Sequence, residues 1–315
     1  MEKSTQGKPE QARARSRRRA PSALLALALA GALTGALAGC ATVSDSGTND
    51  TVVNPYATLD QLSGNQTFQS ADVKVTRDAT GAQTAAAQNG FGGGITLSYD
   101  AGADSYTVSS AGTTLNAFAP GDLQAATSTS TKRVYQKTAG TGTATLAVTR
   151  GTVGGVALSY TQFTSYSVAD STGTRQWLAV GGQPTLGPDM PTSGTGTYTT
   201  SASGTVLRAG QTYTASASSS TATFTADFAA RTVTTSVHLI GSLAATPDTT
   251  VDFGTVTGNG TIVRNGSGFS GTFTNTTGAG FSGAFTGSAA QEMGYVFAYV
   301  KGTDQVSGTV AGKKN

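Results

Sequence analysis

Gly268-Phe-Ser-Gly-Thr-Phe-Thr274 recurs twelve residues later as Gly280-Phe-Ser-Gly-Ala-Phe-Thr286. Each copy separates two phenylalanines by four residues, Phe269/Phe273 and Phe281/Phe285. An even spacing puts both rings on one face of a strand. Gly271 and Gly283 fall between them on that same face. Glycine flanked by aromatics suits a tightly curved β wall, where a larger side chain would collide. The repeat therefore predicts neighbouring strands of a small closed sheet.

The surrounding sequence extends the pattern. Phe224, Ala226 and Phe228 share one strand face, opposite Thr223, Thr225 and Asp227. After a turn at 229–231, Val233, Val237 and Leu239 share a face, opposite Thr232, Thr234, Ser236 and His238. Further on, Met293, Tyr295, Phe297 and Tyr299 alternate with Val296, Ala298 and Val300, so that strand is apolar on both faces and is expected to be buried on both. One account puts barrel core on one side and the preceding domain on the other. A sharper one makes Tyr295, Phe297 and Tyr299 an exposed patch for a protein partner, because aromatics are enriched in interface cores. Asn259-Gly260 and Asn265-Gly266 are turn dipeptides, or bulges inside a longer strand. About eight strands run from Ser193 to the end, enough to close an antiparallel barrel filled by its own side chains.

The half before this is also β-rich. Strands are expected near Phe68–Thr76, Gly94–Tyr99, Ser105–Ser109, Thr113–Phe118, Thr131–Lys137, Thr143–Thr149, Gly155–Phe163 and Trp177–Val180. Asp100-Ala-Gly-Ala-Asp104 supplies turn chemistry. Pro184, Pro188 and Pro191 mark a crossing between domains, with the boundary near Gly187. The fold class is all-β, with no long amphipathic helix after the leader. Its parts are a β-rich domain over 57–187 and an eight-stranded antiparallel barrel over 188–315.

Composition agrees. The 315 residues carry 12 % charged and 7 % aromatic side chains, 42 glycines, and roughly one threonine in six. One cysteine excludes an internal disulfide framework, and one histidine excludes the usual multi-histidine metal sites. The net charge of +3 is misleading. Seven basic against two acidic residues before Cys40 give +5 and leave −2 for the rest, so the basic balance implies no nucleic-acid partner.

Those arginines precede an apolar run from Ala23 to Ala38, the order of a secretory signal and short for a spanning helix. The run ends Leu37-Ala38-Gly39-Cys40, which resembles a bacterial lipoprotein signal. That resemblance implies a signal peptide over 1–39, cleavage before Cys40, and acylation of Cys40. The segment 40–56 then reads as a lipidated tether. Ala41 after the cysteine resembles lipoproteins sorted to an outer membrane.

Longer stretches carry a second resemblance. The crossing Gly182-Gln-Pro-Thr-Leu-Gly-Pro-Asp-Met-Pro-Thr-Ser-Gly-Thr-Gly-Thr-Tyr198 resembles the segment entering the β-barrel of the transferrin-binding protein B family. So does the tail, Phe281–Gly287 leading through Ala290–Phe297 to Val306–Lys314. Ile95-Thr-Leu-Ser-Tyr99 and Ser159-Tyr-Thr-Gln-Phe163 resemble strands of the family's handle domain. Thr286-Gly287-Ser288 replaces much of a characteristic turn, and Tyr295 replaces a glycine. The resemblance implies a surface-exposed outer-membrane lipoprotein with an N-terminal handle and a C-terminal barrel. Family members bind host transferrin, complement factor H, haemoglobin or haem. It therefore implies an extracellular protein or haem-containing partner, a TonB-type receptor nearby, and a part in iron acquisition. The family's transferrin-contacting loops are not recognisable here.

The remaining constellations read as structural. His238 is a solvent-facing strand residue by phase, with a haem-iron ligand or catalytic base as the sharper alternative. No Gly-x-Ser-x-Gly elbow supports a Ser-His-Asp triad. Glu292, the only glutamate after Cys40, is expected to order the turn before its strand. Asp100, Asp104, Asp248 and Asp252 sit at expected turns. Gly92-Gly-Gly94 and Gly308-Thr-Val-Ala-Gly-Lys313 are glycine-rich, the second a near miss for a phosphate loop. The expectation is a non-enzymatic binding lipoprotein with no metal and no resident cofactor, haem being the one the family allows. Its rivals are a barrel for lipophilic ligands, an envelope hydrolase, and a structural or adhesive envelope lipoprotein.

Overall fold

The computed structural model describes residues 56–315. Cys40, its signal and most of the tether lie outside the described residues. The first ten strands are β1 (Gln66–Phe68), β2 (Ala71–Asp78), β3 (Gln83–Asn89), β4 (Thr96–Asp100), β5 (Ser105–Ser110), β6 (Thr113–Phe118), β7 (Lys132–Ala139), β8 (Gly142–Val153), β9 (Val156–Asp170) and β10 (Gly173–Gly182). They form a four-stranded sheet, β1-β4-β5-β6, and a six-stranded sheet, β3-β2-β10-β9-β8-β7.

Alternation places one set of side chains between these sheets: Ile95, Leu97, Val108 and Phe118 from the first, with Tyr135, Leu146, Tyr166 and Trp177 from the second. The expected strand Phe68–Thr76 is two strands. Phe68 pairs with Leu97 in one sheet, whereas Ala71 onward pairs with β10 in the other. β3 was not expected. Its sequence, Gln-Thr-Ala-Ala-Ala-Gln-Asn, has no apolar alternation to announce a strand, and pairing with β2 makes it one.

The remaining strands are β11 (Thr195–Arg208), β12 (Gln211–Ala215), β13 (Thr221–Asp227), β14 (Thr232–Leu243), β15 (Thr246–Ile262), β16 (Gly268–Phe273), β17 (Thr277–Thr286), β18 (Glu292–Lys301) and β19 (Asp304–Lys314). β11 pairs with β19 from Tyr198↔Lys314 to Leu207↔Gln305, which closes the sheet. β12 and β13 lie end to end between β11 and β14. The register advances by three residues between Gly204↔Ala215 and Tyr198↔Phe224, and segment 216–220 takes up the excess. The wall therefore has eight strand positions. Asn259-Gly260 stays within β15, whereas Asn265, with φ 56°, turns the chain into β16.

The two copies of the repeat face each other across one ladder. Phe269 pairs with Gly283, and Gly271 with Phe281. Each ring covers the bare backbone of the other copy's glycine. A Cβ on Gly283 would lie 2.6 Å from the Phe269 ring. Gly258↔Phe273, Phe297↔Gly308 and Met293↔Gly312 repeat the arrangement. Gly308-Thr-Val-Ala-Gly-Lys313 is thus a run of β19 under inward side chains, not a phosphate loop. Inside, Phe224, Phe269, Phe273, Phe281, Phe285, Tyr295 and Phe297 join one cluster, with ring centroids such as Phe269–Phe285 4.9 Å apart. These rings occupy the barrel interior, so it is packed core, and the lipophilic-ligand barrel is set aside.

Outside, β17, β18 and β19 carry the six-stranded sheet. Val296, Ala298 and Ala311 pack on Ala71, Val73, Val75, Leu158, Phe163 and Val180. Whereas its edge strands β3 and β7 stay largely open to solvent, the inner strands of that sheet, β2 above all, are buried between the four-stranded sheet and the barrel wall. β18 is buried on both faces for the same reason.

Candidate functional site

Tyr295, Phe297 and Tyr299 are 0, 0 and 3 % exposed. They point into the barrel, and the Tyr295 hydroxyl bonds Thr235 Oγ1 at 2.7 Å. Burial pushes the Tyr295 and Tyr299 hydroxyls well above the usual phenol range. They present no surface to a partner, which corrects that expectation. An apolar strand has two equivalent faces in sequence, and only the adjoining handle sheet decides which one turns inward.

His238 lies on the outer wall of β14, as its phase indicated, and its Nε2 is 2.8 Å from Asp252 Oδ1 on β15. Asp252 also accepts the Gly254 N–H at 2.6 Å, and these contacts hold its carboxyl below the usual range. Asp252 is therefore a strand residue and not a turn residue. The pair joins two exposed strand side chains and has no serine bonded to it. Among the described residues no group of three His, Cys, Asp or Glu side chains is placed to hold a metal ion.

Glu292 does more than order a turn. It is 4 % exposed, at the start of β18. One carboxylate oxygen accepts the Ser159 N–H at 2.7 Å. The other accepts the Tyr160 N–H at 2.9 Å and the Thr161 hydroxyl at 3.1 Å. All three donors belong to β9, so the carboxylate clasps the six-stranded sheet to the barrel. Gly294 stands beside it, where a Cβ would lie 2.6 Å from Val180 Cγ2 and 2.8 Å from Thr161 Cγ2. This glycine lets the two walls meet.

With the barrel full and this interface closed, a partner must use the outer surface. One group of anchor-type side chains lies on the first half, around the β4–β5 hairpin. Tyr99 and Tyr106 are directly paired across it, with ring centroids 4.9 Å apart, and Tyr106 leans on Tyr135 at 5.5 Å. The Tyr99 hydroxyl donates to Asp104 at 2.8 Å, which raises its pKa, and burial pushes Tyr106 up to about 12. Arg133 lies 3.6 Å from Asp104, with half its side chain in solvent. Leu123, 39 % exposed, forms a backbone bridge to Tyr135. Partly exposed tyrosines with an arginine match the composition of protein-binding hot spots. The sequence reading of this hairpin identified its turn but not this patch. The available signal was that a hairpin closing at 100–104 puts Tyr99 opposite Tyr106.

Residues 190–314 match the family model described as the C-lobe and N-lobe beta barrels of Tf-binding protein B. Among solved structures, the chain is similar to a double mutant of transferrin binding protein B from Haemophilus parasuis, at 11 % identity over 80 % of this chain and 76 % of that one, with a TM-score of 0.40. It is similar to the isotype 1 protein from serogroup B Neisseria meningitidis, at 16 % identity over 78 % and 43 %, with a TM-score of 0.41. It is also similar to HpuA from Kingella denitrificans, solved in complex with human haemoglobin, at 11 % identity over 80 % and 87 %, with a TM-score of 0.36. No curated protein matches the sequence.

Proposed function

We propose that this chain, whose residues 190–314 match the model of the transferrin-binding protein B barrels, is a lipoprotein of that family that captures an iron-carrying protein at the cell surface. Residues 1–39 are its signal peptide, and Cys40 is its acylated anchor in the outer membrane. The tether 40–56 leads to a handle over 57–187 and a barrel over 188–315. The body is non-catalytic and hands its cargo to a TonB-type receptor. The observation that carries this reading is the barrel match, taken with an interior so filled by aromatic rings that binding falls to the outer surface. The Tyr99–Arg133 patch is the face we assign to the partner.

The test uses cells that display the full chain. Labelled transferrin, lactoferrin and haemoglobin are titrated onto intact cells, with Cys40→Ala as the anchoring control. Saturable capture of one of them, lost when Cys40→Ala moves the chain off the membrane, is the expected result. Displayed protein that captures none of the three points instead to a structural or adhesive coat.

A further inference from the structure

A groove of about 570 Å³ crosses the outer wall where β11 faces the break between β12 and β13. Its size falls in the roughly 300–1,000 Å³ range of small-molecule sites. Along one side runs β11, with Thr197, Thr199 and Ser201. Along the other runs β13, with Thr221, Thr223 and Thr225. Ala217, Ser218 and Ser220 of segment 216–220 and Gly154, at the tip of the β8–β9 hairpin, complete the lining.

The groove exists because the ladder opens there. Backbone pairing of β11 with this strand position stops at Tyr198↔Phe224 and resumes at Gly204↔Ala215. Between those points the Thr200 hydroxyl donates to the Ala222 carbonyl, in place of a backbone bond. From the groove the hydroxyl rows continue in register onto β14 and β15. Thr197 pairs with Thr225 and Thr225 with Thr234, while Thr223 pairs with Ser236 and Ser236 with Thr257. Thr223 Oγ1 and Ser236 Oγ lie 2.8 Å apart.

The lining selects a ligand class by what it offers and what it lacks. No Lys, Arg, Asp, Glu or His lines the groove itself; Lys313, paired with Thr199, lies in the adjoining hollow, so a charged ligand finds its counter-charge outside the groove. Its two rings, Tyr198 and Phe224, are 5 and 2 % exposed and point inward, so an apolar ligand finds no greasy floor. It also lacks the Tyr, Trp and Arg anchors that carry protein interfaces, and Ser and Thr are poor substitutes for them. What remains is a set of hydroxyls in rows spaced by the strand repeat, of which Thr199 donates to Asn315 Oδ1 at 2.6 Å, Thr197 accepts from Asn315 Nδ2 at 3.1 Å and Thr223 bonds Ser236, so these three offer a ligand their remaining hydrogen-bonding capacity. A ligand built from the same group at similar spacing satisfies such a lattice. We infer that this groove binds a neutral sugar chain. Thr197 to Ser201 extend about 13 Å, the length of roughly two or three pyranose rings.

This inference is independent of the protein partner assigned to the handle. The test applies the full chain, in a zwitterionic detergent, to a printed array of neutral and acidic glycans. Thr223→Lys, Thr199→Lys and the conservative Thr223→Ser are run alongside. Thr199 and Thr223 are exposed, so a lysine at either one leaves the core untouched. The expected result is retention on neutral glycans that is insensitive to salt. It should fall about tenfold or more in each lysine variant and persist in Thr223→Ser. Two results overturn the inference. One is no neutral glycan held above the level of the lysine variants. The other is retention of acidic glycans alone, abolished by salt, which moves binding to Lys313 and Lys314 in the adjoining hollow. Capture of an iron-carrying protein that depends on Tyr99 and Arg133 is unaffected by either outcome.

Discussion

Glu292 on the barrel accepts the Ser159 N–H of the six-stranded sheet at 2.7 Å. Its second oxygen takes Tyr160 and Thr161, so one side chain satisfies three donors on the neighbouring sheet. A handle resting on a barrel by apolar contact alone would be free to slide. A buried carboxylate with fixed donors sets one register. Removing it in Glu292→Ala strands those donors and should cost about 2–4 kcal/mol. Glu292→Gln keeps one good acceptor oxygen and should cost about half as much. Urea denaturation of the two variants measures this, and equal loss in both would argue against the clasp.

Gly294 should be as sensitive as Glu292, for a steric reason. A valine there would meet Val180, Thr161 and Phe163 across the interface. Overpacking of this kind costs about 1–3 kcal/mol. Limited proteolysis of Gly294→Val should cut faster in the crossing 183–194, and should spare the barrel. Unchanged cleavage there would show that the sheets do not depend on this approach.

The filled barrel makes its own prediction. Phe269 covers Gly283 and touches Phe224, Phe285 and Tyr295. Phe269→Ala should cost about 3–5 kcal/mol. The wild-type protein should show no binding of an anilinonaphthalene fluorophore under native conditions. Stoichiometric binding to the native state would restore the lipophilic-ligand reading.

On the handle, Arg133→Ala and Tyr99→Ala should each weaken capture of the protein partner by about tenfold to a hundredfold, as truncations at interface anchors do. Both residues are partly exposed, so their melting temperatures should stay close to wild type. Loss of capture together with loss of fold would not identify an interface residue, and the melting curve separates the two.

Asp72 gives a pH dependence. It is 1 % exposed, and burial raises its carboxyl pKa despite hydrogen bonds from Asn89 and the Ile95 N–H. A carboxyl with a raised folded pKa holds its proton longer in the folded state. Its contribution therefore favours the fold at low pH, and is lost as pH rises from 3.8 through the raised folded value. Asp72→Asn should flatten stability over that window. Urea midpoints at a series of pH values test it, and an unchanged profile would assign the slope to other groups.

The sequence by itself determined the all-β class, the barrel, and the alternation that turns Thr outward and Phe inward along β13. It did so because strand periodicity is local, and because the repeat sets two rings and a glycine on one face; only the register of the two copies put each glycine opposite the other copy's ring. It also placed His238 on the outer wall. The tertiary structure decided the rest. β3 is a strand because β2 offers an edge, not because Ala-Ala-Ala prefers one. Tyr295, Phe297 and Tyr299 point inward because a second sheet covers the other face of β18, which alternation alone does not reveal. Glu292 is a clasp because the chain returns 133 residues away to set Ser159 beside it. The physical reason is common to all three. A residue's own strand fixes which neighbours share its face, but only the layer packed against that face fixes what the face meets.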